Sequence, residues 1–178
     1  NLLTRSQVND GDRVLVTGAS GGVGLATVQL ARQKGARVTA IAAAAKADAV
    51  LTAGAQSVLD RDASLPKEDF TVVIDVVGGN QFGECLDALC PGGRLATSGA
   101  IAGPMAEVDL RTLYLKDLTV FGCTYQSREV FRALVSLINT GSLRPLVSKV
   151  YPLKDIAQAQ TDFMAKRYPG KLVLRPFF

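Results

Sequence analysis

One stretch of the chain carries residue types and spacings that suit chemistry: Val14-Leu15-Val16-Thr17-Gly18-Ala19-Ser20-Gly21-Gly22-Val23-Gly24. A β-branched run feeds a glycine-rich turn. The apolar spacing that follows (Val23, Ala26, Thr27, Leu30, Ala31) is that of a helix. Such a turn gathers backbone N–H groups and the positive end of a helix at one point, where an anion such as a pyrophosphate belongs. Gly21 lets backbone come close to phosphate, and Gly24 lets the helix pack tightly on the strand.

The same letters fit other machines, which other residues exclude. Gly18-Ala19-Ser20-Gly21-Gly22 matches the G-x-S-x-G elbow of α/β-hydrolases, but that enzyme needs a histidine base and the sequence has none. The missing histidine also removes Ser-His-Asp triads, Cys-His pairs and histidine-bearing zinc sites built from this chain alone. Thr17-Gly18 with Gly22 and Gly24 fits the loop of short-chain dehydrogenases, which need Tyr-xxx-Lys. Four residues after Tyr114, Tyr125, Tyr151 and Tyr168 stand Leu118, Glu129, Asp155 and Leu172. A P-loop wants Ser or Thr after Gly-Lys, and Gly170-Lys171 is followed by Leu172. A methyltransferase wants an acid at the end of its second strand to hold ribose hydroxyls.

That same position bears on the cofactor. An NAD site places Asp or Glu there, yet the sequence reads Ala40-Ile41-Ala42-Ala43-Ala44-Ala45-Lys46. Losing the carboxylate removes repulsion against a 2′-phosphate, and Lys46 rewards it. Arg61, after the third strand, adds a second cation, while Asp48 lies further along the helix. NADP is therefore expected over NAD.

The elements that must position these residues alternate strand and helix. Strands are expected at Arg13–Thr17, Arg37–Ala42, Ser57–Leu59, Thr71–Val76, Arg94–Ser98 and Leu118–Gly122. Helices are expected at Val23–Lys34, Lys46–Thr52, Gln81–Ala88 (ended by Pro91-Gly92-Gly93) and Arg128–Asn139. Near-continuous apolar strands joined by helices mean an α/β, doubly wound, six-stranded parallel sheet of order 3-2-1-4-5-6 with helices on both faces. Beyond it, Pro145–Tyr151, a helix over Lys154–Ala165 and a strand over Lys171–Arg175 form a tail, broken at Pro169-Gly170. The expected division is residues 1–143 and 144–178.

Composition agrees with a globular chain: 178 residues, 48% hydrophobic and 20% charged. A net charge of +4 from scattered basic residues does not make a nucleic-acid or membrane surface. The richest apolar run, Val38–Leu51, carries Lys46 and Asp48, so no membrane span and no signal peptide is expected. Cys85, Cys90 and Cys123 read as small hydrophobes in a reducing compartment, hence a cytoplasmic protein. The chain opens on Asn1 in what already reads as helix, and is expected to be a piece of a longer protein.

The run VTGASGGVGLATVQLARQKGARV resembles the cofactor domain of medium-chain dehydrogenases/reductases, in the zinc-type alcohol dehydrogenase-like and quinone oxidoreductase branch. Ala19-x-Gly21-x-x-Gly24 fits that branch's loop. The resemblance continues through Val58-Leu59-Asp60, VIDVVGG (73–79), PGGRLATSGAIAG (91–103), DLRTLYLKDLTVFG (109–122) and GKLVLRP (170–176). It implies an NAD(P)-dependent oxidoreductase whose first, catalytic domain carries any zinc ligands and lies outside this chain, so no metal is expected in it. The tail would pack on that absent domain.

The resemblance also assigns residues. Ser20, Gly21, Gly22, Val23 and Gly24 would meet the pyrophosphate, with Gly22 and Val23 donating N–H groups. Lys46 would contact the 2′-phosphate, preceded by Ala43 and Ala44 where many relatives have serines. Arg61 replaces a tyrosine near the adenosine. Val77 and Gly78 would line the nicotinamide ribose, and Ala100, Ile101, Cys123 and Thr124 would lie near the nicotinamide.

The reaction expected is hydride transfer to or from a small-molecule carbonyl, enone or quinone. No residue here qualifies as catalytic, so the fragment alone is expected to be inactive. The alternatives are a dinucleotide-binding module with no activity of its own and a short-chain-type dehydrogenase. The apolar edge strand 118–122 invites a second copy, and the resemblance implies that homodimer.

Overall fold

Apolar runs too short for helices become strands buried on both faces. A computed structural model of the chain describes residues 1–176. It begins with a one-turn helix α1 (Leu2–Arg5), then β1 (Arg13–Val16), α2 (Gly22–Gln33), β2 (Arg37–Ile41), α3 (Ala47–Thr52) and β3 (Ser57–Leu59). There follow β4 (Phe70–Asp75), α4 (Gln81–Asp87), β5 (Leu89–Thr97), α5 (Leu110–Leu115), β6 (Thr119–Gly122) and α6 (Arg128–Asn139). The chain returns through β7 (Val147–Pro152), α7 (Ile156–Met164) and β8 (Lys171–Arg175).

The first six strands form one sheet in the order β3-β2-β1-β4-β5-β6, every pair parallel. This is the expected doubly wound sheet. Period-2 alternation divides each central strand between two cores. Val14, Val16, Val72 and Ile74 face the side covered by α2, packing with Leu25 and Val28. Leu15 and Val73 face the other side, with Leu86, Leu89 and Leu95. Parallel strands send their C-terminal ends to one edge, so the turns after β1, β2, β3, β4, β5 and β6 gather there. That edge is where ligands bind in such sheets.

The fifth strand is longer than the sequence suggests. Pro91-Gly92-Gly93 does not lie between α4 and the strand; β5 already starts at Leu89, opposite Phe70. The triplet is absorbed as an irregularity, with the register shifting between Phe70 and Val72. Gly92 takes φ +73° and donates its N–H to Lys116 O at 2.7 Å. A proline is tolerated where the ladder is already interrupted. Helix α5 has no counterpart in the sequence reading; its start is capped by Asp109, whose side chain accepts from Arg111 N at 2.9 Å.

The tail is a second, two-stranded parallel sheet of β7 and β8, bridged by α7. Backbone hydrogen bonds tie it to the rest of the fold. Gln29 exchanges two hydrogen bonds with the backbone of Arg144, both 3.0 Å. Gly170 donates to Ser20 O at 2.8 Å and forms a bridge with Gly21.

Candidate dinucleotide site

The glycine loop is shaped by close backbone packing. Thr17 N donates to Ile74 O, and Ala19 N to Ile41 O, so the loop leaves β1 pinned to both neighbouring strands. Gly18 takes φ +57°, a left-handed conformation suited to glycine. A Cβ on Gly24 would run into Gly18 O and stand 2.5 Å from Ala19 Cα, so α2 can cross the loop only with hydrogen there. Gly21 is the N-cap of α2, and no side chain caps that end. No side chain caps the first-turn N–H groups of Gly22, Val23 and Gly24; Val23 is 49% exposed, whereas Gly24 is buried.

Below the loop lies a residue that the sequence reading passed over. Asp75, at the end of β4, is 2% exposed and accepts from four neighbours. Thr17 Oγ1 donates to Oδ1 at 2.6 Å and Thr97 Oγ1 to Oδ2 at 3.2 Å. Val77 N and Gly78 N donate at 3.1 Å each. One carboxylate thus joins the ends of β1, β4 and β5 to the turn after β4. The available signal was an acid inside the apolar run TVVIDV, because a buried carboxylate must be held by donors.

That turn meets the turn after β5. Ala102 N donates to Val77 O at 2.9 Å and Gly79 N to Gly103 O at 3.1 Å. A Cβ on Gly78 would stand 3.1 Å from Ala100 Cα. Val77, Gly78 and Ala100 are therefore brought together, and Ile101 beside them is 73% exposed and outside the core. Cys123 is 5% exposed and belongs to the core; its N–H donates to Thr97 O at 2.8 Å, leaving Thr124 exposed at the same edge. Cys85 is likewise buried, and burial beside Asp75 and Glu84 pushes its thiol up to about 12.

Arg61 lines a cavity of about 520 Å³ with Val77, Gly78, Asn80 and Gln81, between the ends of β3 and β4. Lys46 sits at the foot of α3, and its Nζ donates to Lys166 O at 2.5 Å. Partial burial lowers the Lys46 ammonium below the ordinary lysine value, and the Arg61 and Lys166 cations push the same way.

A lysine reaches the loop from the tail. A Cβ on Gly22 would meet the end of the Lys171 side chain, with Lys171 Nζ 2.6 Å from that point. Lys171 N donates to Leu146 O at 2.9 Å, which anchors it at the start of β8. The sequence reading takes Gly170-Lys171 as a failed P-loop match, the start of the last strand and part of the family resemblance, and gives Lys171 no place at the glycine loop. Nothing local in the sequence places a residue so late in the chain against the first turn.

The zinc-binding dehydrogenase family matches residues 22–140, from the first turn of α2 to the end of α6. The chain belongs to that family. It is 33% identical over 177 residues to acryloyl-coenzyme A reductase of Metallosphaera sedula, covering 97% of itself and 53% of that protein. It is 32% identical over 190 residues to quinone oxidoreductase of Sus scrofa, covering 97% and 57%. Among solved structures, a Sinorhizobium meliloti 1021 protein described as an alcohol dehydrogenase superposes with a TM-score of 0.93 at 48% identity, covering 99% of this chain and 51% of that one. The chain spans about half the length of the curated relatives it matches.

These relatives are oxidoreductases by name. The family is named for zinc, yet among the described residues no three His, Cys, Asp or Glu side chains come together as a metal site, and the sequence has no histidine. Among the described residues no helix is long and apolar enough to cross a membrane. The residues fit a dinucleotide better than a metal: a loop that a Cβ at Gly24 would fill, a helix end with no side-chain cap, and the Lys171 side chain against Gly22.

Proposed function

We propose that this chain is the dinucleotide-binding part of an NADPH-dependent oxidoreductase acting on a carbonyl, enone or quinone. The observation that carries the reading is the uncapped start of α2 on a loop closed by Gly24, with Lys46 where an NAD site would hold an acid. Ser20 to Gly24 hold the pyrophosphate, Gly22 and Val23 through their N–H groups, and Lys171 neutralises it from the tail. Lys46 binds the 2′-phosphate, and Arg61 lies beside the adenosine. Val77 and Gly78 line the nicotinamide ribose. Ala100, Ile101, Thr124 and the backbone of Cys123 border the ring.

The nicotinamide supplies the hydride. This chain's residues orient the ring and shield one face of it. The proton donor or Lewis acid comes from a catalytic domain outside residues 1–178, for which the half-length match to the relatives leaves room. Residues 1–143 form the cofactor domain and 144–178 the segment that also packs on that catalytic domain, so residues 1–178 alone bind without turnover. The exposed apolar side chains of α6, Phe131, Val135 and Ile138, support such a neighbour. The whole protein is a cytoplasmic homodimer joined through β6, which pairs with β5 alone among the described residues and exposes 42% of Val120.

Calorimetric titration with NADPH and NADH tests the reading. Tighter binding of NADPH, with the preference lost in Lys46→Ala, is the expected result. Equal or NADH-favoured binding overturns the NADPH assignment.

A further inference from the structure

The two oxygens of the buried Asp75 carboxylate serve different parts of the sheet edge. Oδ1 takes the short bond from Thr17 Oγ1, 2.6 Å, and lies 3.1 Å from Val77 N and 3.2 Å from Gly78 N. It reaches back to the root of the glycine loop. Oδ2 accepts from Gly78 N at 3.1 Å and from Thr97 Oγ1 at 3.2 Å. It reaches across to β5.

The turns after β4, β5 and β6 hang on what Oδ2 holds. Gly78 and Gly79 take φ +66° and +68°, so their N–H groups leave the strand ladder and need acceptors from elsewhere. Among the described residues, Gly78 N donates to Asp75 alone. Gly79 N donates to Gly103 O and Ala102 N to Val77 O, so the turn after β5 is suspended from the turn after β4. Thr97 is the last residue of β5 and pairs with Gly122; its carbonyl accepts from Cys123 N at 2.8 Å. Its placement is thereby passed to the end of β6. An acid is a costly way to fill a core position that follows the buried Val72, Val73 and Ile74, and an apolar residue would pack there more cheaply. What the carboxylate adds is the fixing of donors at two turns.

We infer that Asp75 is a positioning residue for the nicotinamide half of the cofactor, acting through Oδ2 on Gly78 and Thr97. This rests on the dinucleotide reading above. Asp75 is 2% exposed and works through the residues it holds. The adenosine half rests on other residues, so a lesion at Oδ2 separates the two halves of the ligand.

The test uses the whole protein with ADP, which has the adenosine and pyrophosphate but no nicotinamide, and with NADPH and NADH, of which the tighter is followed. Asp75→Asn keeps the shape of the side chain. Its amide oxygen takes the Oδ1 place, where three donors meet it. Its NH2 stands at the Oδ2 place, where the Thr97 hydroxyl can turn to accept and Gly78 N–H cannot. Thr97→Val removes the other donor to Oδ2, and Thr97→Ser keeps it. Asp75→Asn is expected to weaken the reduced cofactor about fivefold and ADP by less than about twofold. The fluorescence anisotropy of the bound reduced nicotinamide falls at saturation, because the ring is less firmly held. Thr97→Val lowers the anisotropy to a smaller extent, and Thr97→Ser restores it. Should Asp75→Asn fail to fold, Thr97→Val carries the test. Equal weakening of ADP and reduced cofactor, or an anisotropy unchanged in both variants, overturns this inference and leaves the dinucleotide reading standing. A wild-type protein that binds neither NADPH nor NADH overturns both.

Discussion

Thr17 Oγ1 and Asp75 Oδ1 lie 2.6 Å apart beneath the glycine loop, a hydrogen bond between the end of β1 and the end of β4. Thr17 Oγ1 also accepts from Val76 N at 3.1 Å, so the pair is knitted into one unit. Thr17→Val removes the donor and leaves Asp75 short of a partner. The expected cost is about 1–3 kcal/mol in urea unfolding, with weaker binding of both NADPH and NADH, because the turns on either side loosen together. Unchanged stability would show that the carboxylate finds another donor.

Gly24 and Gly22 make opposite predictions. Gly24→Ala drives a methyl into the Gly18 and Ala19 backbone, which cannot yield cheaply, and about 2–4 kcal/mol of stability is lost. Gly22→Ala meets only the flexible end of Lys171 and sits in a helix start, so stability changes by less than about 1 kcal/mol. Its effect appears instead in cofactor affinity, since the Lys171 ammonium is displaced. Comparing thermal midpoints and dissociation constants of the two variants separates packing from binding.

Lys171 and Lys46 separate by ligand. Lys171→Met weakens NADPH and NADH alike, by roughly tenfold, because both carry the pyrophosphate. Lys46→Ala weakens NADPH alone. A selective effect of Lys171→Met on NADPH would place its charge at the 2′-phosphate instead.

The depressed ammonium of Lys46 sets a pH dependence. Its charged form is disfavoured in the free folded protein, so that penalty is present at neutral pH and is relieved as pH rises through the lowered value. A bound 2′-phosphate reverses the shift, so NADPH binding at alkaline pH takes up a proton and NADH binding does not. Titrations at pH 9 in two buffers of different ionisation heat detect it. On the acid side the phosphate loses its second charge near about pH 6, and the NADPH preference shrinks there.

The cysteines should react in order of exposure. Cys85, pushed up to about 12 by burial and two nearby carboxylates, stays unlabelled by iodoacetamide at pH 8 until the chain unfolds. Cys90 is half-buried, with its Sγ 2.8 Å from Glu68 O, and is labelled first. Early labelling of Cys85 would mean that the α4 side of the core opens readily.

Local signals in the sequence went furthest where the physics is local. The bounds of β3, α6 and β8 agree with the sequence reading, because β-branched runs, a Ser127 cap and Gly141 mark them within a few residues. The strand order follows from handed crossovers, which need no distant information. β5 was misjudged because a proline and two glycines normally end an element, and only pairing with Phe70 keeps the strand going. Asp75 and Lys171 escaped notice for one shared reason. Their roles depend on partners from 58 positions away, as for Thr17, to the far end of the chain.

The bridge between Gly21 and Gly170 joins the first turn of the fold to its last strand. Contacts so distant along a chain form late, since the closure of a long loop must precede them. During synthesis the large sheet can assemble while the tail is still being made. The glycine loop then exists before its clasp, and Lys171, which opens β8, reaches it only at the end. The contacts that close over the glycine loop are thus made in the final moments of folding, after the scaffold is already in place.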